Sequence, residues 1–154
     1  SYGSAKRWYP VKFAEVASIL SNEYDIIIFG GANETQIAKD IESYLIQKGV
    51  KNYQNFAAKY SIEDLISNIS NLDLFITGDS GPMHLAAAFQ VPTVSIFGPT
   101  RMDETSQWMN EKSIIVKKKL ECQPCMKRVC PLKHHHCMKL IESSDVLIAV
   151  DKLN

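Results

Sequence analysis

The sequence predicts an α/β fold, a doubly wound and mostly parallel sheet in a single domain over residues 1–154. Three observations predict it. Short apolar runs at Asp25–Phe29, Leu72–Thr77 and Val91–Phe97 read as strands buried on both faces. Each run leads into a glycine-containing turn: Gly30-Gly31, Gly78-Asp79-Ser80-Gly81 and Gly98-Pro99-Thr100. Segments with helical periodicity lie between the strands, and that alternation implies parallel strands joined by helical crossovers.

The polar, basic start, with Lys6 and Arg7, is expected to be a loop that feeds a helix over Pro10–Ser21. Pro10 suits that helix's first turn, and Val11, Ala14, Val16, Ala17 and Leu20 make its apolar stripe. After the strand at Asp25–Phe29, Asn33 is expected to cap a helix over Glu34–Gln47, with Gly49 as its stop. Lys51–Ala57 holds a short strand. Ser61 and Asp64 have capping-box spacing ahead of a helix running to about Asn71. The strand at Leu72–Thr77 leads through Gly78–Gly81 into a helix with Pro82 in its first turn and Leu85–Phe89 as its body. Beyond the strand at Val91–Phe97, Arg101–Asn110 is expected to be a loop, Ser113–Lys117 an edge strand, and Ser144–Leu153 a serine-capped closing helix.

With 45% hydrophobic residues, the chain can bury a real core as one domain or as half of a larger enzyme. The start Ser1-Tyr2-Gly3 fits an excised piece, and neither a signal peptide nor a membrane-spanning run is expected in it. Seventeen basic residues balance seventeen acidic ones, which argues against bulk nucleic-acid binding.

Thr77–Thr100 is the stretch with chemistry. Amides at a helix N-terminus carry partial positive charge, so the turn at Ser80-Gly81 suits a phosphate, with the Ser80 hydroxyl as a further donor. His84 lies in the same first turn. Asp79 suits amide capping or sugar hydroxyls better than direct contact with an anion. The structural alternatives are plain helix caps for Asp79 and Ser80 and a core histidine for His84. Glu34, just past the first strand, either complements its helix dipole or accepts from ribose hydroxyls. Lys6 is either a solvated cation or an anion ligand. No complete G-x-G-x-x-G is present, so a dinucleotide reading is weak.

Ala5–Trp8 (AKRW), the Gly30-Gly31 turn followed by Glu34, the stretch Thr77–Thr100 and the cysteine block Cys122–Met138 occur in that order. Together they resemble the C-terminal half of a bacterial ADP-heptose:lipopolysaccharide heptosyltransferase of glycosyltransferase family 9, most similar to its heptosyltransferase II branch. The resemblance implies a GT-B architecture in which a Rossmann-like C-terminal domain holds the nucleotide sugar. Carried over, Lys6 contacts the diphosphate, Glu34 holds the ribose, and Asp79, Ser80, Gly81 and His84 surround the diphosphate and sugar. Lys6 and Asp79 are the implied catalytic residues. The resemblance places the general base, an aspartate, in an N-terminal domain outside this chain. The implied donor is ADP-heptose, with no cofactor required. The implied partners are the lipid A-core acceptor at the inner-membrane surface and the protein's own N-terminal domain, with no nucleic acid. The implied location is cytoplasmic, at the inner face of the inner membrane. The chain alone is expected to bind ADP weakly and to transfer nothing.

Cys122, Cys125, Cys130 and Cys137, with His134–His136 between them, have the residue types of a zinc site but not a standard zinc spacing. Local disulfides are a second reading. The reading adopted is a reduced structural loop whose basic residues face an anionic acceptor, with structural zinc possible but not favoured. Two other functions compete with the transferase reading: a different GT-B nucleotide-sugar enzyme, and a non-catalytic zinc-containing interaction domain.

Overall fold

The structure is a computed structural model, and it describes residues 7–99 and 110–154. Parallel strands alternate with helices, as expected. The described residues cluster into two compact units, one over Tyr9–Leu65 and the other over 7–8, 66–99 and 110–154, so the division falls within a helix.

In the first unit, α1 covers Pro10–Leu20, with Pro10 in the first turn, where a missing N–H costs nothing. Strands β1 (Ile26–Ile28) and β2 (Tyr53–Asn55) pair in parallel, with Ile26 opposite Tyr53. Between them, α2 runs over Thr35–Gln47 and ends before Gly49, whose φ of +76° closes the helix. Ile28, Ala38, Leu45 and Ala57 form the core of this unit. The Asn52 side-chain amide donates to the carbonyls of Ser21 (2.9 Å) and Tyr24 (3.0 Å) and so ties the end of α1 to β2.

The expected Asn33 cap is corrected. Ala32–Glu34 form a single 3-10 turn: the Glu34 amide donates to the Gly31 carbonyl (3.0 Å), and Glu34 Oε1 accepts from the Gly31 amide (3.3 Å). The helix begins one residue later than expected. The capping box at α3 (Ile62–Ser70) forms as its spacing predicts: the Ser61 amide donates to Asp64 Oδ2 (3.2 Å) and the Asp64 amide to Ser61 Oγ (3.1 Å).

In the second unit, β3 (Phe75–Gly78), β4 (Thr93–Ile96) and β5 (Ser113–Val116) form one parallel sheet with β4 central. Each strand is shorter than its apolar run. The Leu72 amide is taken by the Ile69 carbonyl (3.2 Å) at the end of α3, and Pro92 lacks an N–H, so pairing starts at Phe75 and Thr93. β5 is the expected edge strand. Helix α4 (Gly81–Ala88) packs on β3 and β4. A short α5 (His136–Lys139) precedes α6 (Ser143–Leu153), which packs on β4 and β5. The predicted serine cap of α6 is also corrected: Glu142 is the N-cap, and its amide donates to Asp145 Oδ2 at 2.8 Å. Met83, Val94, Ile96, Phe97, Met138, Ile141 and Val146 are fully buried, and the buried Trp8 indole donates to the Ile141 carbonyl at 3.1 Å. The expected loop at Arg101–Asn110 lies outside the described residues except for Asn110, whose side-chain amide donates to the Val91 carbonyl at 3.0 Å.

Candidate functional site

Parallel register fixes where the chemistry can gather. Gly78 of β3 lies opposite Ile96 of β4, so the turns at 79–81 and 97–99 leave the same edge of the sheet as neighbours. Ligands of open α/β sheets bind at such carboxyl ends.

The first turn carries Asp79, Ser80, Gly81 and His84. Asp79 is 6% exposed, while His84 is exposed in the first turn of α4. A core position for His84 is therefore ruled out. Ser80 is the N-cap of α4 with extended backbone, yet its side chain makes no capping bond. Its Oγ instead shares a hydrogen bond with Thr77 Oγ1 at 3.2 Å. The alternative that makes the Ser80 side chain a plain helix cap does not hold. A Cβ built on Gly81 meets nothing within 4 Å, so the backbone here borders open space. An anion could approach this helix end without displacing a capping Ser80 side chain.

The second turn anchors the cysteine block. Gln123 Nε2 donates to the Gly98 carbonyl (2.8 Å), and the Met126 amide donates to the Pro99 carbonyl (2.8 Å). At Gly98 a Cβ would stand 3.0 Å from Met138 Cε and 3.2 Å from Cys137 Sγ, so glycine is needed there for close approach. The four cysteines are free thiols. They line one cavity of about 20 Å³ together with His134 and His135. Among the described residues, no group of three or more His, Cys, Asp or Glu is arranged to hold a metal ion. Burial, and then the neighbouring Cys125, Cys130 and Cys122, push the Cys137 thiol up to about 11. The His135 amide donates to Cys130 Sγ (3.4 Å) and holds that thiol below its ordinary value. The His134 and His136 rings stack at 4.2 Å, and His134 Nδ1 accepts from the His136 amide (3.0 Å), which puts the proton of a neutral His134 on Nε2.

Glu34 stands in the first unit, half-buried at the end of β1. Beside it is Tyr60, which sequence reasoning did not single out. Its ring meets Phe29 edge-on at 5.8 Å. Burial, and secondarily the Glu34 carboxylate, raise its phenol, although the nearby Gly30 backbone acts in the opposite sense. A lone tyrosine ahead of a capping box carries no motif. Thr77 was missed for a similar reason, because its part in the turn depends on where Ser80 points. Lys6 lies outside the described residues.

Comparison with known proteins adds independent findings. The family described as glycosyltransferase family 9 (heptosyltransferase) matches residues 1–136. A lipooligosaccharide heptosyltransferase 2 of Campylobacter jejuni subsp. jejuni serotype O:2 is 47% identical over 148 residues, covering 96% of this chain and 46% of that protein. The one from serotype O:6 is 43% identical, covering 100% of this chain and 49% of that protein. The solved E. coli ADP-heptose LPS heptosyltransferase II superposes with a TM-score of 0.81 at 26% identity, covering 99% of this chain and 43% of that one. The chain thus spans about half the length of these relatives.

Proposed function

We infer the function from one premise: the chain belongs to glycosyltransferase family 9, the heptosyltransferases. It is the donor-binding part of an inverting enzyme that moves heptose from ADP-heptose to the heptosyl-Kdo inner core of lipopolysaccharide. The observation that carries this reading is the start of α4. Ser80 leaves the helix amides uncapped by its side chain, and Gly81 borders open space. That is the surface a diphosphate requires.

In this reading the acceptor hydroxyl attacks the anomeric carbon, and the bond from that carbon to the β-phosphate oxygen breaks. Charge grows on the departing ADP. The α4 terminus, the Ser80 hydroxyl and the Lys6 ammonium stabilise that charge, and stabilisation of this kind is often the largest catalytic contribution. His84 adds a donor on the exposed face of the same turn. Asp79 orients the turn and the sugar. Glu34 accepts from the ribose hydroxyls. The acceptor's proton goes to an aspartate base in the N-terminal domain of the whole protein. The enzyme works without a cofactor, in the cytoplasm at the inner face of the inner membrane.

Calorimetric titration with ADP and with UDP tests the donor assignment. ADP is expected to bind the chain and raise its melting temperature, with UDP weaker. A chain that ignores both nucleotides, or prefers UDP, overturns it.

A further inference from the structure

The cysteine block does more than anchor the sheet edge. Across residues 122–141 the chain carries Lys127, Arg128, Lys133 and Lys139 and no Asp or Glu, although the chain as a whole has a net charge of +0. Within this basic stretch, three large apolar side chains are exposed, Val129 (68%), Leu132 (57%) and Leu140 (45%), and the first two share the tip 127–133. Lys127 and Lys133 beside them are exposed as well.

Backbone hydrogen bonds hold this tip in shape. The Lys133 amide donates to the Cys130 carbonyl (3.2 Å), and Met126 is tied to Pro99. Met126, Lys133 and His135 take left-handed backbone angles, with φ of +56°, +61° and +53°. Non-glycine residues adopt that region at a cost, so the surrounding bonds determine the loop's path.

We propose that the tip 127–133 is a membrane-docking surface, with Val129 and Leu132 entering the headgroup layer of an anionic bilayer while Lys127 and Lys133 bind lipid phosphates. Exposed apolar side chains ringed by cations suit an interface that is anionic at its surface and apolar below. An acidic surface with no apolar recess would satisfy the lysines but leave both apolar tips in water. Among the described residues, no helix is long and apolar enough to cross a membrane, so this contact is interfacial. Docking through the tip would turn the carboxyl edge of the second unit's sheet, with Gly98-Pro99 and the 79–81 turn, toward the membrane surface. The proposal goes beyond the donor reading and does not depend on it.

Flotation of the chain with vesicles tests the proposal. Binding is expected to phosphatidylcholine mixed with phosphatidylglycerol and not to phosphatidylcholine alone. Removing one lysine, by Lys127→Gln or Lys133→Gln, is expected to weaken binding about fivefold, and salt should weaken it further. Val129→Ser with Leu132→Ser is expected to weaken it roughly tenfold or more. Val129→Ser alone gives a smaller loss and guards against misfolding, since Leu132 also lines the cysteine cavity. In Val129→Trp, the new indole's emission should shift to the blue on vesicles. Absent binding to phosphatidylglycerol overturns the proposal, as does full binding by the serine variants or an unshifted indole. ADP titration of the same samples reports separately on the donor site.

Discussion

Ser80 Oγ lies 3.2 Å from Thr77 Oγ1, a bond back to the strand it has just left, and not on the helix it precedes. A capping serine lost to alanine usually costs about 1 kcal/mol. Here the side chain does no capping, so Ser80→Ala should move the melting temperature by no more than about 2 °C. If its hydroxyl serves a phosphate, ADP affinity should still fall roughly tenfold, the size expected for a hydrogen bond to a charged group. Calorimetry and a melting curve on one preparation check both halves. A large thermal loss with unchanged ADP affinity would refute the assignment.

Two glycines on the same sheet edge predict opposite outcomes. At Gly81 a new Cβ meets open space, so Gly81→Val should fold normally and yet lose ADP binding by roughly tenfold or more, because a branched side chain blocks close backbone approach. At Gly98 the Cβ would press on Met138 and Cys137, both buried. Gly98→Ala should therefore cost about 1–3 kcal/mol of stability by overpacking. Denaturant midpoints separate the two. Equal destabilisation by both would remove the open-space argument.

The thiols should react in a defined order. Cys130, held below its ordinary value by the His135 amide, is expected to alkylate first at neutral pH. Cys137, buried and pushed up to about 11, should react last. Mass spectrometry of time-quenched samples reads the order. The Cys137 shift also has a sign for stability. A group raised above its unfolded value of 9.0 contributes stability that is fully present below about pH 9 and is lost as pH rises through about 11. Cys137→Ala should flatten that alkaline decline. An equally steep decline in the variant would refute the cause.

Glu34 is bound to its own turn through the Gly31 amide at 3.3 Å, a long and exposed bond that contributes little to stability. Glu34→Ala should accordingly cost less than about 1 kcal/mol. Its functional role predicts a sharper pattern. The variant should bind ADP more weakly but leave the affinity for a dideoxyribose analogue of ADP unchanged, since only the hydroxyls engage the carboxylate. Equal losses for both ligands would assign Glu34 to the turn alone.

What could be read from the sequence was local chemistry. Pro10 in a first turn, the Ser61–Asp64 box and Gly49 as a stop each depend on a few consecutive residues, and each forms. What could not be read depended on a choice among equivalent partners. Asn33 and Ser144 had the right type for caps, but Glu34 precedes α2, after a 3-10 turn that begins past Gly31, and Glu142 precedes α6, because the backbone path decides which residue precedes the helix. Leu72 had a strand former's neighbours and was taken by the last turn of α3. Asp79, Ser80, Gly81 and His84 were legible together because they share one turn. Tyr60 was not, since its neighbours Phe29 and Glu34 are distant in sequence, and Thr77 was not, because its bond depends on which way the Ser80 side chain turns. The shared cavity of the four cysteines was likewise hidden, because their spacing matches no standard pattern and left several arrangements equal.

Lys6 is linked to the donor site by electrostatics. A helix terminus contributes about half a positive charge, while ADP bears a diphosphate. An ammonium is the natural complement, and Lys6 stands in the AKRW motif that suggested it. Lys6→Ala should weaken ADP binding by roughly tenfold or more, as expected when a charged partner is lost from a phosphate. The loss should shrink as salt rises, because screening weakens exposed charge pairs. Arginine at the same position should restore only part of the affinity, since a planar fork does not reproduce a point charge. Wild-type affinity in Lys6→Ala at low salt would remove Lys6 from the donor site. The chain by itself should also show no transfer from ADP-heptose, because without a positioned base the acceptor hydroxyl keeps its proton and attacks poorly. Measurable turnover by residues 1–154 would place a base within this chain and overturn that division of labour.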